Sequence, residues 1–171
     1  MAVTGATAPA AAAVMRSLSL PALVQGSRRI VIVSALASES HYEELGRKRR
    51  IVTDTRVRIE DVIAKGDGMQ SEVIVRTLGG KIGRLGERVD GQAQLVLRQA
   101  CVAFLLEAPD GVHYVNGMAQ GHYPLKGADV RRLMKSPDLP AIVDFEASAV
   151  KALVGRELGD ATSRIRGLVK P

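Results

Sequence analysis

The side chains best placed to do chemistry in this sequence are cations. Gly46-Arg47-Lys48-Arg49-Arg50 is the densest basic run, and Arg56, Arg58, Arg76 and Lys81 follow it. Guanidinium and ammonium groups gathered in this way bind the phosphates, sulfates or carboxylates of an anionic partner. Glu43, Glu44, Asp54, Glu60 and Asp61 dilute the run, so a merely solvated charged surface competes with a dedicated anion-binding one. Single-stranded nucleic acid would also need aromatic platforms for its bases. The segments around Arg56 and Arg76 contain no aromatic residue.

Other chemistries find less support. His113 and His122 fall on neighbouring segments and could meet, with His41 further away. No third ligand stands at a metal-binding spacing, so no metal site is expected. Gly79, Gly80, Gly83, Gly86 and Gly91 invite a phosphate-loop reading. Their spacing matches neither dinucleotide nor P-loop fingerprints, and no helix follows to hold a phosphate. A need for positive φ accounts for these glycines without a ligand. No serine sits at a strand-to-helix elbow. Asp54 and Glu60, flanked by Arg56 and Arg58, read as an ordinary cross-paired strand surface. Cys101 is the only cysteine, which excludes an intramolecular disulfide, and it lies in an apolar run as a small buried hydrophobe. No catalytic residue is nominated, no cofactor is implied, and the expectation is a protein that is not an enzyme.

The elements that would position the basic residues are mostly strands. Ser19 can cap a short helix with Pro21 in its first turn, ending at Gly26. The β-branched run within Arg29 to Ser38 reads as a first, largely buried strand, followed by a charged loop from Glu39 to Arg50. Ile51, Thr53, Thr55, Val57 and Ile59 alternate with Val52, Asp54, Arg56, Arg58 and Glu60, the signature of a half-buried strand. Lys65-Gly66-Asp67-Gly68 supplies a turn, and Glu72 to Leu78 a third strand. A glycine-punctuated loop then leads to the apolar strand Cys101 to Glu107. Pro109-Asp110-Gly111 turns the chain into a last strand pair over His113 to Leu125, broken at Gly117 and Gly121. Asp144 is placed to cap a helix running to Leu158, stopped by Gly159, with a short, mobile basic tail beyond.

This order predicts a mainly β protein with minor α content: an OB-like closed barrel of five to six strands, with a short N-terminal helix and a C-terminal helix. A β-sandwich is the alternative. The expected organisation is a leader at residues 1–14, a barrel over 15–126, a loop and helix packed on it over 127–159, and a basic tail over 160–171. At 171 residues, 46% hydrophobic and 25% charged, the chain is of single-domain size with an ordinary composition. No apolar run reaches the about 18 residues of a membrane-spanning helix. A net charge of +6 permits anionic partners without selecting one. Residues 1–14 are uncharged and Ala-rich, consistent with the end of a signal peptide whose basic and apolar parts are missing, or with a disordered tail.

Met15-Arg16-Ser17-Leu18-Ser19-Leu20, Arg50-Ile51-Val52-Thr53-Asp54-Thr55, Val75-Arg76-Thr77-Leu78-Gly79-Gly80 and Gly117-Met118-Ala119-Gln120-Gly121 carry a resemblance. On these segments the chain resembles a family of uncharacterised exported proteins of myxobacteria and related deltaproteobacteria. Its layout is also similar to netrin-type OB domains, though those carry disulfides that one cysteine cannot form. At Arg98-Gln99-Ala100 the sequence departs from the Gly-Glu turn of the exported family. The resemblance implies export and an OB-like shape, and supplies no activity.

Together these readings lead to a periplasmic or secreted binding or structural module of the bacterial cell envelope. Its partner would be another protein or an anionic envelope polymer, bound through Arg47, Lys48, Arg49, Arg50, Arg56, Arg58, Arg76 and Lys81. The alternative is a cytoplasmic OB-fold protein that binds nucleic acid with the same loop. Oligomeric state is not legible in the sequence.

Overall fold

The computed structural model describes residues 13–66 and 70–169. Most of the proposed leader therefore lies outside the described residues, as do Asp67 and Gly68 of the expected turn. The protein is mainly β. Its strands are β1 (Val14–Arg16), β2 (Arg29–Leu45), β3 (Lys48–Ala64), β4 (Glu72–Leu78), β5 (Gly80–Ile82), β6 (Leu85–Glu87), β7 (Ala100–Glu107), β8 (His113–Val115), β9 (His122–Lys126), β10 (Arg132–Leu133) and β11 (Ala141–Val143). Helices α1 (Leu20–Gly26), α2 (Ala149–Leu153) and α3 (Leu158–Gly167) complete it.

β2, β3 and β4 form an antiparallel meander, β4 pairs in parallel with β8, β8 with β7, and β7 returns antiparallel to β2. Five strands thus pair around a ring, with β9 and β10 added beside β7. The inner part of β2, Ile30 to Val33, and β7 from Cys101 to Leu105 are apolar without interruption because both of their faces are covered. Val31, Val33, Cys101, Ala103 and Leu105 pack with Val57, Val73 and Val75 in one core cluster. Ile30, Ile32, Val102 and Phe104 face the other way, onto α1, α2, α3 and β9. Period-two alternation sends successive side chains to opposite faces, so one strand serves two cores.

The segment expected as a loop from Glu39 to Arg50 is strand instead. β2 and β3 continue as one long hairpin to a two-residue turn at Gly46-Arg47, where Gly46 takes a φ of +66°. Glu43 faces Arg50 and Glu44 faces Arg49 across it. The ladder is wet on both faces and charged on both strands, and this is why its composition reads as a loop. The glycine-punctuated stretch likewise contains the small hairpin β5–β6.

The C-terminal region also differs from expectation. Asp144 has a left-handed backbone and makes no side-chain cap; Ser148 accepts from the Lys151 N–H and starts α2. Gly159 does not end a helix but lies in the first turn of α3. The stretch from Asp160, expected as a mobile tail, is helical to Gly167 and buries Ala161 and Ile165 completely. Its Arg166 Nε donates to the Ile63 carbonyl at 2.9 Å. α1 forms as its sequence implies: Ser19 Oγ accepts from the Ala22 N–H, and Leu20, Leu23 and Val24 are buried. Lys65 Nζ donates to the carbonyls of Val24 and Gln25 at 2.7 and 3.0 Å, closing the open end of that helix. No helix among the described residues is long and apolar enough to cross a membrane.

Candidate functional site

The eight basic residues do not form one continuous surface. Arg76 is the most enclosed, its side chain 11% exposed, and Asp54 grips it with two hydrogen bonds of 2.6 and 2.7 Å. Glu43 adds a contact at 3.4 Å and His41 lies 3.5 Å away. The Asp54 hydrogen bond, more than its charge, pushes the Arg76 pKa further up, so this guanidinium is permanently cationic and already neutralised. Arg56 pairs with Glu72 at 3.3 Å. Arg50 pairs with Glu87, whose other oxygen accepts the Ile51 N–H at 2.9 Å. That backbone bond first, then Arg50, holds the Glu87 carboxyl below the usual range.

The remaining cations differ. Arg47, Lys48, Arg49, Arg58 and Lys81 enter no ion pair among the described residues. Arg58 is nine residues along β3 from Arg49, roughly 30 Å at strand rise, and belongs to another part of the surface. Arg47, Lys48 and Arg49 occupy the end of the long hairpin. Here Arg49 lies over the Tyr42 ring, 4.1 Å from its centroid. Lys81 sits where β5 leans on the hairpin, its N–H reaching Ser40 Oγ at 3.4 Å. Arg84, in the β5–β6 turn, is a further cation without an acidic partner that sequence reasoning missed.

This end of the molecule is an arm. β2 pairs with β7 only up to Ser34, and β3 pairs with β4 only from Val52 onward. Among the described residues, the strand pair from Tyr42 and Ile51 outward has no further strand paired beside it, and β5–β6 leans on it. A two-stranded ribbon alone is marginal in water, and the Glu87 bonds to Arg50 and Ile51, with the Arg76 contact to Glu43, brace it. Leu45 and Leu85 are exposed on these two hairpins, Leu85 at 63%.

His113 and His122 are not brought together as a ligand pair. His113 is opposite Glu107 and His122 opposite Ala103, at different heights along β7. Both are buried; His122 Nδ1 bonds Ser136 Oγ at 2.8 Å. Among the described residues no group of three His, Cys, Asp or Glu side chains could hold a metal. Asp54 and Glu60 have separate partners, Arg76 and Arg131. The sequence also gave no sign of a cavity of about 290 Å³ at one end of the ring, walled by Ser38, Thr53, Thr55 and Thr77. Strand phase shows that such residues share a face, but only register shows that they converge. Comparison of the chain with family models, with curated proteins and with solved structures gives no match.

Proposed function

We propose that this protein is a non-enzymatic binding module of the bacterial cell envelope, an OB-like closed barrel that holds an anionic envelope polymer at the end of the β2–β3 arm. The observation that carries the reading is the arm itself. Arg47, Lys48 and Arg49 stand on a braced hairpin that projects past both neighbouring strands, and no acidic side chain among the described residues neutralises them. A cation that makes no ion pair within its own protein gives up none when it meets an anion. The five-stranded ring supports the OB-like barrel. The Ala-rich residues 1–14 and the resemblance to exported proteins support the envelope location.

The test is a titration with polyphosphate and with polyglutamate, following the wild type and a Arg47→Ala/Lys48→Ala/Arg49→Ala variant. Affinity should fall steeply, by tenfold or more, between about 50 and 200 mM salt, because each contact releases counterions. The triple variant should lose binding and an Arg58→Ala control should keep it. Equal affinity for all three proteins would sink the assignment. Intact mass of the native protein from fractionated cells tests location: a chain beginning near Val14 outside the cytoplasm supports export, and one retaining Met1 in the cytoplasm overturns it.

The second reading, a cytoplasmic nucleic-acid binder, draws on one contact. Arg49 stacked on Tyr42 offers a planar cation and a ring to an unpaired base. Preference for single-stranded oligonucleotides over polyphosphate at equal charge, abolished by Tyr42→Ala, would favour it.

A further inference from the structure

The inward faces of β3 and β4 change chemistry along their length. Val57, Val73 and Val75 point into the core of the ring and are buried. Towards the other end the same face carries Thr55 and Thr53 on β3 and Thr77 on β4, with Ser38 and Ser40 in register opposite Thr55 and Thr53 on β2. Valine at these positions would bury more apolar surface, while a hydroxyl taken out of water needs a partner. Part of the need is met within the protein. Lys81 N–H reaches Ser40 Oγ, Ser40 and Thr53 hydroxyls bond at 2.9 Å, and Thr53 donates to the Gly79 carbonyl at 2.8 Å.

Ser38, Thr55 and Thr77 are left over. Their hydroxyls have no hydrogen-bond partner among the described residues: Ser38 is exposed, Thr77 half-buried, and Thr55 only 3% exposed with its oxygen still reached from the cavity. All three line the 290 Å³ cavity, whose opposite wall includes Ala93 and Leu95, apolar residues packed against the ring core. Gln92 adds an amide there, its oxygen accepting the Leu78 N–H at 3.2 Å and its nitrogen left to donate.

We propose that this cavity binds a small neutral polyol of about monosaccharide size. Its hydroxyls would meet Ser38, Thr55, Thr77 and the Gln92 amide, and its C–H face would lie against Ala93 and Leu95. The charge balance selects a neutral ligand. Glu87 is engaged by Arg50 and the Ile51 N–H, and Asp138 by Gln94 and by Arg88, the latter at 3.3 Å. Arg88 also lines the cavity and is itself paired with Asp90 at 3.4 Å and with Asp138, so the charges there are engaged with one another. Groups that donate and accept at once match three hydroxyls that can do the same. The volume lies at the lower end of the range for small-ligand sites, which excludes a larger occupant from full enclosure. The site is separate from the basic arm and makes the opposite prediction about salt.

Threonine-methyl and amide NMR spectra, followed during titration with glucose, N-acetylglucosamine and inositol up to about 50 mM, test the proposal at millimolar affinity. At least one of these polyols should give saturable shifts centred on Thr55, Thr77 and Gln92 that are indifferent to salt. Thr55→Val and Thr77→Val should each weaken binding roughly three- to tenfold, the loss expected for one hydrogen bond. Both variants should unfold no earlier than the wild type, because neither hydroxyl holds a hydrogen bond within the described residues. Shifts that grow linearly without saturation for all three polyols would overturn the proposal and identify the cavity as a solvent-filled vestibule. So would variants that bind as tightly as the wild type.

Discussion

Protonation of His122 should be one of the steps by which acid unfolds this protein. Its side chain lies at the head of β9, 2% exposed, with Nδ1 bonded to Ser136 Oγ and no carboxylate paired with it. Burial pushes its pKa down to about 4 from an ordinary 6.5. A histidine depressed in the folded state contributes stability that is complete above its unfolded pKa and is lost as pH falls through the folded value. The window is therefore about pH 6.5 to 4. A shift of roughly 2.5 units at 1.36 kcal/mol per unit makes the loss about 3 kcal/mol. His113, buried on β8 and also shifted down by desolvation, loses stability in the same direction. Urea unfolding of the wild type and of His122→Asn at pH 7.5, 5.5 and 4 isolates the His122 part, because asparagine keeps a polar atom near Nδ1 and cannot titrate. Carboxylates such as Glu87 and Asp160, held low by their partners, are common to both proteins and cancel in the difference. The wild type should lose about 3 kcal/mol more than the variant between pH 7.5 and 4. Parallel curves for the two proteins would refute the reasoning.

Three further outcomes follow from packing and pairing. Ile165→Ala should destabilise the protein by about 2–5 kcal/mol in chemical denaturation, because Ile165 is fully buried and α3 is part of the core; a change below about 0.5 kcal/mol would return the segment to the status of a tail. Arg76→Met leaves Asp54 and Glu43 facing each other without their cation, and should cost about 3 kcal/mol, whereas Arg47→Ala at the arm's turn should stay within about 0.5 kcal/mol. The Cys101 thiol, pushed up to about 12 by burial, should resist alkylation at pH 8 in the native protein and react at once in denaturant.

Much of the local architecture was legible in the residues. Ser19, Pro21 and Gly26 bounded α1, and the alternation from Ile51 to Glu60 put Thr53 and Thr55 on the same face as Val57. Where expectation and structure part, the missing information is non-local. The outer half of the β2–β3 hairpin reads as a loop until Glu43 and Glu44 are seen opposite Arg50 and Arg49. α3 reads as a tail because its buried positions, Ala161 and Ile165, are few among charged neighbours and need Ile63 and α1 to pack against. Arg76 looked like a free cation; it is spent because β4 sets it beside Asp54, 22 residues earlier.

The sequence by itself therefore determined the mainly β class, the position of the strand phases and the capping of the first helix. These depend on side-chain period and on hydrogen bonds between residues a few positions apart. Only the tertiary structure decided which cations are neutralised, which hydroxyls converge on a cavity, and that a five-stranded ring brings β7 back to β2. Those outcomes depend on strand register and on burial, which long-range pairing sets and no local spacing encodes.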